Sequence, residues 1–224
     1  MPLADYVDIS QPSFWLTVGS VAFNPTFWNL CGGGVALRRG QRKRGTGLTR
    51  KAEYHNKTIT RLFGGNARNG CYALAVTIFS LGIVRDYIYH TALSAQPTSP
   101  LLLSAPTKLL SLALLATGNT LVLTSMYALG VTGTYLGDYF GILMSERVTS
   151  FPFNVCDAPM YVGSTLSFLG TALWYGKPAG VVLTGVVWAA YSVALRFEDP
   201  FTAGIYERRE RARGEAKGDG KKEL

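Results

Sequence analysis

Apolar residues in this chain come in long blocks with short polar or charged joins between them, and the blocks set the expected elements. Ser13 to Leu37 is apolar and aromatic. Asn24-Pro25 interrupts it, which predicts a broken or half-inserted helix with Trp15, Phe23, Phe27 and Trp28 at the membrane interface. Gly70 to Leu93 is a candidate span whose clean apolar part is short, because Arg85 and Asp86 stand near its far end. Ala95 to Pro106 reads as a proline-rich turn. Leu109 to Gly130 is long enough to cross a bilayer at ~1.5 Å per residue, and its polar Thr117, Asn119 and Thr120 predict a side that faces protein. Val131 to Ala158 mixes aromatics, glycines and a few charges. Met160 to Tyr175 and Gly180 to Phe197 are joined only by Gly176-Lys177-Pro178-Ala179, so they form either a tight helical hairpin or one long bent helix. The pattern predicts an all-α integral membrane protein with about four transmembrane or intramembrane helical segments, the last a hairpin in one of the two readings. Its expected divisions are a polar segment 1–12, an intramembrane or interfacial helix 13–37, a basic loop 38–69, a transmembrane core 70–206 and a charged tail 207–224.

Composition supports the membrane assignment. Of 224 residues, 48% are hydrophobic and 16% charged, whereas a soluble domain is about a quarter charged. The net charge of +8 is concentrated in Arg38 to Arg68 and in the tail after Tyr206. In a membrane protein such clusters mark cytoplasmic loops. No nucleic-acid-binding motif or basic domain accompanies them, so nucleic acid is not an expected partner. A terminal hairpin puts both clusters on one face; a single bent span puts them on opposite faces. Asn56-Lys57-Thr58 is a glycosylation sequon usable only in the lumen. Cys31, Cys71 and Cys156 are odd in number and far apart, and with only His55 and His90 beside them neither a disulfide framework nor a metal site is expected. Met1 to Pro12 lacks the pattern of a cleavable signal peptide.

Two stretches carry candidate chemistry. In Gly130 to Val155, Gly133, Gly137 and Gly141 recur every four residues and on a helix would form one small-residue face, for packing or for a ligand. Asp138 is the lone charge between Lys108 and Glu146; an acid so placed is a functional candidate, with an interior ion pair as the plainer alternative. The neighbouring Tyr135, Tyr139, Phe140, Phe151, Phe153 and Tyr161 suit either interface anchoring or the attraction of an ammonium group. The second stretch is Arg196 to Phe201, "RFEDPF". Pro200 predicts a helix end there, which leaves Glu198 and Asp199 at a C-terminus whose dipole disfavours negative charge. A cation or hydroxyl ligand would compensate; solvation, or pairing with Arg196, is the alternative.

From Gly130 to Arg208 the chain resembles the phospholipid N-methyltransferases of the phosphatidylethanolamine methylation pathway. "GTYLGDYFGILMSERVTSFPFNV", "PMYVGSTLSFLG" and "EDPFTAGIYERR" carry the resemblance, in order and nearly ungapped. "FNPTFWN", "EYHNKTITRLFGG" and "GCYALAVTIFSLGIVRDYIYHTAL" resemble the fungal branch, which uses the monomethylated lipid. The likeness covers most of the chain and weakens in Leu37 to Thr49 and in the tail. It implies a methyltransferase core that takes methyl groups from S-adenosyl-L-methionine and carries phosphatidyl-N-methylethanolamine to the dimethyl lipid and then to phosphatidylcholine. The alternatives are an enzyme for all three steps, one acting on another membrane substrate such as isoprenylcysteine, and a non-catalytic membrane scaffold.

The resemblance also implies site residues. The family's Gly-x-Gly in a membrane helix maps onto Ala116-Thr117-Gly118, where Ala116 departs from the pattern, and its Glu-Glu pair maps onto Glu198 and Asp199. Both elements are assigned to the cofactor. The acceptor amine must lose a proton before attack; Asp138 is the candidate catalytic residue, with Glu146 the other acid nearby and water a third acceptor. The partner is a phospholipid in the bilayer. Lys221-Lys222-Glu223-Leu224 reads as a dilysine retrieval signal, which implies the endoplasmic reticulum membrane with a cytoplasmic C-terminus, and the mitochondrial membrane as a second location.

Overall fold

The computed structural model describes residues 5–32 and 57–219, and these are all-helical. In chain order the helices are α1 (Pro12–Gly32), α2 (Thr58–Leu62), α3 (Ala67–Ala95), α4 (Ala105–Thr134), α5 (Pro159–Trp174) and α6 (Pro178–Asp219). Short 3₁₀ turns occupy Pro100–Leu103 and Gly137–Phe140. Three stretches, Ala67–Ala95, Ala105–Phe140 and Pro178–Arg211, are long and apolar enough to cross a membrane. The protein is thus a multi-pass membrane protein. With 16 residues, α5 reaches about 24 Å at ~1.5 Å per residue, less than a hydrocarbon core of ~30 Å.

Lipid tails are as apolar as leucine, so helices in a bilayer are held together by close packing and internal hydrogen bonds. Both occur here. α1 runs antiparallel to α3, with Thr17 Oγ1 3.5 Å from the Ile88 carbonyl and Asn24 Nδ2 donating to the Leu81 carbonyl at 3.3 Å. At the far end Gln96 closes a two-way pair with the backbone of Asp8, each bond 2.8 Å. The shared core takes Phe14 and Val21 from α1, Tyr89 and Leu93 from α3, Phe168 from α5, and Leu183, Val187 and Tyr191 from α6. Tyr89 donates its hydroxyl to the Phe168 carbonyl at 2.9 Å.

α4 meets α5 along small residues. Ser111, Gly118, Leu121 and Ser125 are the buried positions of α4; Gly118 and Leu121 face Gly163, and Ser111 faces Gly170. A Cβ on Gly118 would lie 2.5 Å from the Gly163 carbonyl oxygen, so only glycine allows this approach. Ser111 Oγ adds a bond to the Gly170 carbonyl at 2.7 Å. The expected protein side of this helix is corrected: Thr117, Asn119 and Thr120 are exposed. Asn119 meets its own need by donating to the Leu115 carbonyl at 2.8 Å, so its polarity says nothing about a neighbouring helix.

α5 and α6 form the hairpin reading of the last two apolar runs, turning at Gly176, where φ is 64°. Ser99 N–H donates to the Gly176 carbonyl at 2.9 Å and Lys177 Nζ to the Gln96 carbonyl at 2.6 Å, which fixes that turn against the α3–α4 connection. The end of α1, α2 and the start of α3 therefore lie at the same end of the bundle as Glu198 and the last turns of α6. The flanks of the basic loop share a face with the basic residues after Tyr206. Most of that loop, the Asn56 sequon and the dilysine ending lie outside the described residues.

Three expectations about where helices continue are corrected. α1 is continuous through Pro25 and α6 through Pro200. Each proline deletes one backbone donor, and side-chain contacts on the far side hold the helix regardless. Beyond Pro25, Trp28 and Asn29 reach Glu198; beyond Pro200, Thr202 Oγ1 donates to Asp138 at 2.7 Å and Ile205 is buried with Tyr139. Glu198 and Asp199 are therefore inside a helix, and no C-terminal dipole acts on them. Third, Gly133, Gly137 and Gly141 share no helix face. α4 breaks at Gly130 (φ 62°, ψ −177°), Gly137 lies in the 3₁₀ turn, and Gly141 has φ 75°.

Candidate active site

The break at Gly130 begins the site. Past it the chain leaves the helix axis, passes Leu136 in a left-handed conformation (φ 60°, ψ 34°) and turns Asp138 and Tyr139 toward α6. A left-handed leucine costs about 1–2 kcal/mol and persists only where packing over-determines it. Here Tyr139, with 1% of its surface exposed, packs against Ile205, Leu136 and Phe140. Asp138 is fixed on both oxygens: Oδ2 accepts from Thr202 at 2.7 Å and Oδ1 from the Tyr139 N–H at 3.1 Å.

Glu198 lies across from it on α6. Its Oε1 accepts from Trp28 Nε1 at 2.8 Å and from Asn29 Nδ2 at 3.0 Å, and its Oε2 accepts from the Tyr161 hydroxyl at 2.5 Å. Side chains from α1 and α5 thus orient one carboxylate on α6. Tyr161 also stands edge-on to Tyr191, ring centres 4.8 Å apart. Asp199 is exposed; Arg147 attracts its charge and Asp157 repels it. Arg196, the alternative partner for the acids, is exposed.

Between these walls is a cavity of about 340 Å³. Among the described residues, Asp138, Asp157, Glu198 and Asp199 line it against a single base, Arg147, and the rings of Trp28, Tyr135, Tyr139, Phe153, Tyr161, Tyr191 and Tyr206 make up much of the rest. Such a lining favours a cation, by charge and by the negative faces of the rings. Thr134 Oγ1, on the same lining, is buried without a hydrogen-bond partner among the described residues. An orphaned hydroxyl of this kind is a place for a ligand's polar group. Among the described residues no three His, Cys, Asp or Glu side chains converge as they would on a metal ion.

Of the residues singled out from sequence, Asp138, Glu198 and Asp199 come together on this cavity. Ala116, Thr117 and Gly118 do not line it: the first two are exposed on α4 and the third is packed on Gly163. Tyr135, Tyr139, Phe153 and Tyr161 line it, whereas Phe140 packs beside Gly70 and Phe151 is exposed. Trp28, Arg147, Asp157, Tyr191, Thr202 and Tyr206 were not singled out for the site. Thr202 stands four residues after Glu198, so a helix through Pro200 would have placed both on one face.

Residues 106–209 match the phospholipid methyltransferase family. The chain is 54% identical over 222 residues, 99% of its length and 95% of the relative's, to the phosphatidyl-N-methylethanolamine N-methyltransferase of Neurospora crassa. The chain belongs to the phospholipid methyltransferase family. It is 52% identical over 207 residues, 92% of the chain and 91% of the relative, to the enzyme of the same name from Saccharomyces cerevisiae. It is 46% identical over 207 residues, 92% of the chain and 94% of the relative, to the phosphatidylethanolamine N-methyltransferase of Rattus norvegicus. No solved structure matches. The protein is a methyltransferase enzyme of phospholipid methylation. The segment matched by the family holds Asp138, Tyr161, Glu198 and Asp199, while α1, with Trp28 and Asn29, precedes it.

Proposed function

We propose that this methyltransferase converts phosphatidyl-N-methylethanolamine to phosphatidyl-N,N-dimethylethanolamine and then to phosphatidylcholine, with S-adenosylmethionine as the methyl donor. The observation that carries the reading is the cavity, in which four acids, one base and a wall of aromatic rings meet where the bundle reaches its basic face. The names of the fungal relatives favour the monomethylated lipid as the first substrate. The residues present fit the cofactor. It carries two cationic centres and ribose hydroxyls, and the lining supplies excess carboxylate and the unpartnered Thr134 hydroxyl. When bound, S-adenosylmethionine supplies an electrophilic methyl group on a sulfonium.

In this reading Glu198 binds the cofactor, already oriented by Trp28, Asn29 and Tyr161, and Asp199 assists at the rim. Charge-assisted hydrogen bonds to ribose hydroxyls or an ammonium are the strong ones available to a carboxylate. Asp138, held by Thr202 and the Tyr139 N–H, takes the proton that the substrate amine must lose. The rings of Tyr139 and Tyr161 stabilise the methylammonium charge that grows with each transfer. The remaining contribution is positioning of amine and methyl carbon in line. Of Ala116-Thr117-Gly118, Gly118 acts in this reading through helix packing against Gly163. The basic face lies on the cytoplasmic side, by the excess of Lys and Arg there; Asn56 is then not glycosylated.

The test is methyl transfer from labelled cofactor to each of the three ethanolamine lipids in membranes carrying the protein. The monomethyl and dimethyl lipids should be methylated at least about tenfold faster than the unmethylated one. Equal rates on all three would replace this reading by an enzyme for the whole series. Asp138→Asn should lower kcat by about 10²-fold and leave the cofactor KM within about twofold. An unchanged kcat would remove Asp138 from the chemistry.

A further inference from the structure

Two of the hydrogen bonds that orient Glu198 come from α1, outside the segment matched by the family. Trp28 Nε1 and Asn29 Nδ2 both converge on Oε1, at 2.8 and 3.0 Å, while Tyr161 holds Oε2. The contact spans most of the chain, joining residues 170 and 169 positions apart. Its hydrogen bonds come in addition to what docks α1, to which the Trp28 ring adds by packing against the shared core. That helix is held against α3 and α6 by Phe14 and Val21 in the shared core, and by the Thr17 and Asn24 bonds to α3. The polar pair that reaches α6 stands at the level of the cavity, on an acid that lines it. Asn29 keeps a second bond to the Pro25 carbonyl at 2.9 Å, the proline in the middle of α1. The helical turn after Pro25 therefore aims both donors at one oxygen.

We infer that Trp28 and Asn29 are positioning residues for cofactor binding, acting through Glu198: α1 is the element that fixes the rotamer of the cofactor acid, and the site is incomplete without it. The inference rests on the reading of Glu198 given above. Two donors fixed on one oxygen, with the Tyr161 hydroxyl on the other, set the direction that the carboxylate presents to a ligand. Without them the carboxylate must be ordered at the time of binding, which weakens affinity for the cofactor and leaves the lipid's own contacts as they were.

The experiment measures the Kd for S-adenosylmethionine on the purified full chain in detergent, with lipid KM and kcat from the labelled assay. Trp28→Phe keeps the ring and removes the donor; it should weaken cofactor binding about tenfold, with the lipid KM within about twofold. Asn29→Asp sets a second carboxylate against Oε1 and should weaken it further, since two carboxylates at hydrogen-bond distance resist joint ionisation. In a Glu198→Gln background, Trp28→Phe should add less than about twofold, because the residue through which it acts has changed. Equal weakening by Trp28→Phe in both backgrounds overturns the inference, as does a change confined to the lipid KM. Should Trp28→Phe lower the unfolding temperature, the Asn29→Asp comparison in the two backgrounds decides in the same way. Unchanged binding in Glu198→Gln itself would instead defeat the reading of Glu198, which separates the two failures.

Discussion

The seam between α4 and α5 and the cavity at the end of α4 are made by one helix and its continuation, with opposite chemistry. Along the seam, side chains are removed: Ser111, Gly118, Gly163 and Gly170 let two backbones approach until a single Cβ would not fit. At the cavity, side chains are enlarged and charged, and α1, α5 and α6 meet through Trp28, Asn29, Tyr161 and Glu198 around a space lined by acids and rings. Gly130 divides the two, because its φ of 62° ends the regular helix. The seam gives the rigid wall and the break gives the opening. A membrane enzyme of this size needs both, since its reactive head groups arrive at the interface while its stability is made within the bilayer.

The largest effect expected on this contrast falls on the cavity alone. Glu198→Gln combined with Asp199→Asn should lower methyl transfer by more than about 10³-fold, as the loss of several charge-assisted contacts would. Membrane insertion should be kept, and the unfolding temperature should fall by no more than the weakened Glu198 hydrogen bonds account for, because the seam is untouched. Full activity in membranes carrying the double variant would show that the acids do not serve the cofactor.

The chain's helical class and its long apolar blocks were legible because a run of ~20 apolar residues is the length a helix needs to cross a bilayer. The hairpin was legible as one of two alternatives. The tertiary contacts that selected it, Ser99 to Gly176 and Lys177 to Gln96, join residues far apart in the chain and leave no local pattern. Pro25 and Pro200 misled for a related reason: proline's local cost is fixed, while the side chains that outweigh it, such as Thr202 on Asp138, depend on partners in other elements. Asp138 was visible as an acid in an apolar stretch and Glu198 as part of a motif. Trp28 was read as an interface anchor, and nothing near it in sequence points to an acid 170 residues away. The glycine period from Gly133 to Gly141 presumed a helix that Gly130 had already ended.

The next effect falls on the seam. Gly118→Ala places a Cβ 2.5 Å from the Gly163 carbonyl and 2.6 Å from Ser167 Oγ. The backbones must part, at about 2–3 kcal/mol. Thermal unfolding in detergent should shift down by several degrees, and activity should fall only with the folded fraction. A raised cofactor KM at unchanged unfolding temperature would instead make Gly118 a cofactor contact, as the family's Gly-x-Gly implies, and the seam would be part of the site.

The smallest effect separates the same two readings one residue away. Thr117 is exposed on α4, on a side away from both α5 and the cavity. If packing is the work of this stretch, Thr117→Val exchanges a hydroxyl for a methyl against lipid. Stability should move by no more than ~0.5 kcal/mol, and the cofactor KM by less than about twofold. A motif that bound the cofactor along its length would respond at Thr117 as well as at Gly118. A cofactor KM raised about fivefold or more by Thr117→Val, at unchanged unfolding temperature, would therefore return the whole of Ala116-Thr117-Gly118 to the binding site. It would also require a second approach of the ligand to α4 beyond the cavity that Asp138 and Glu198 enclose.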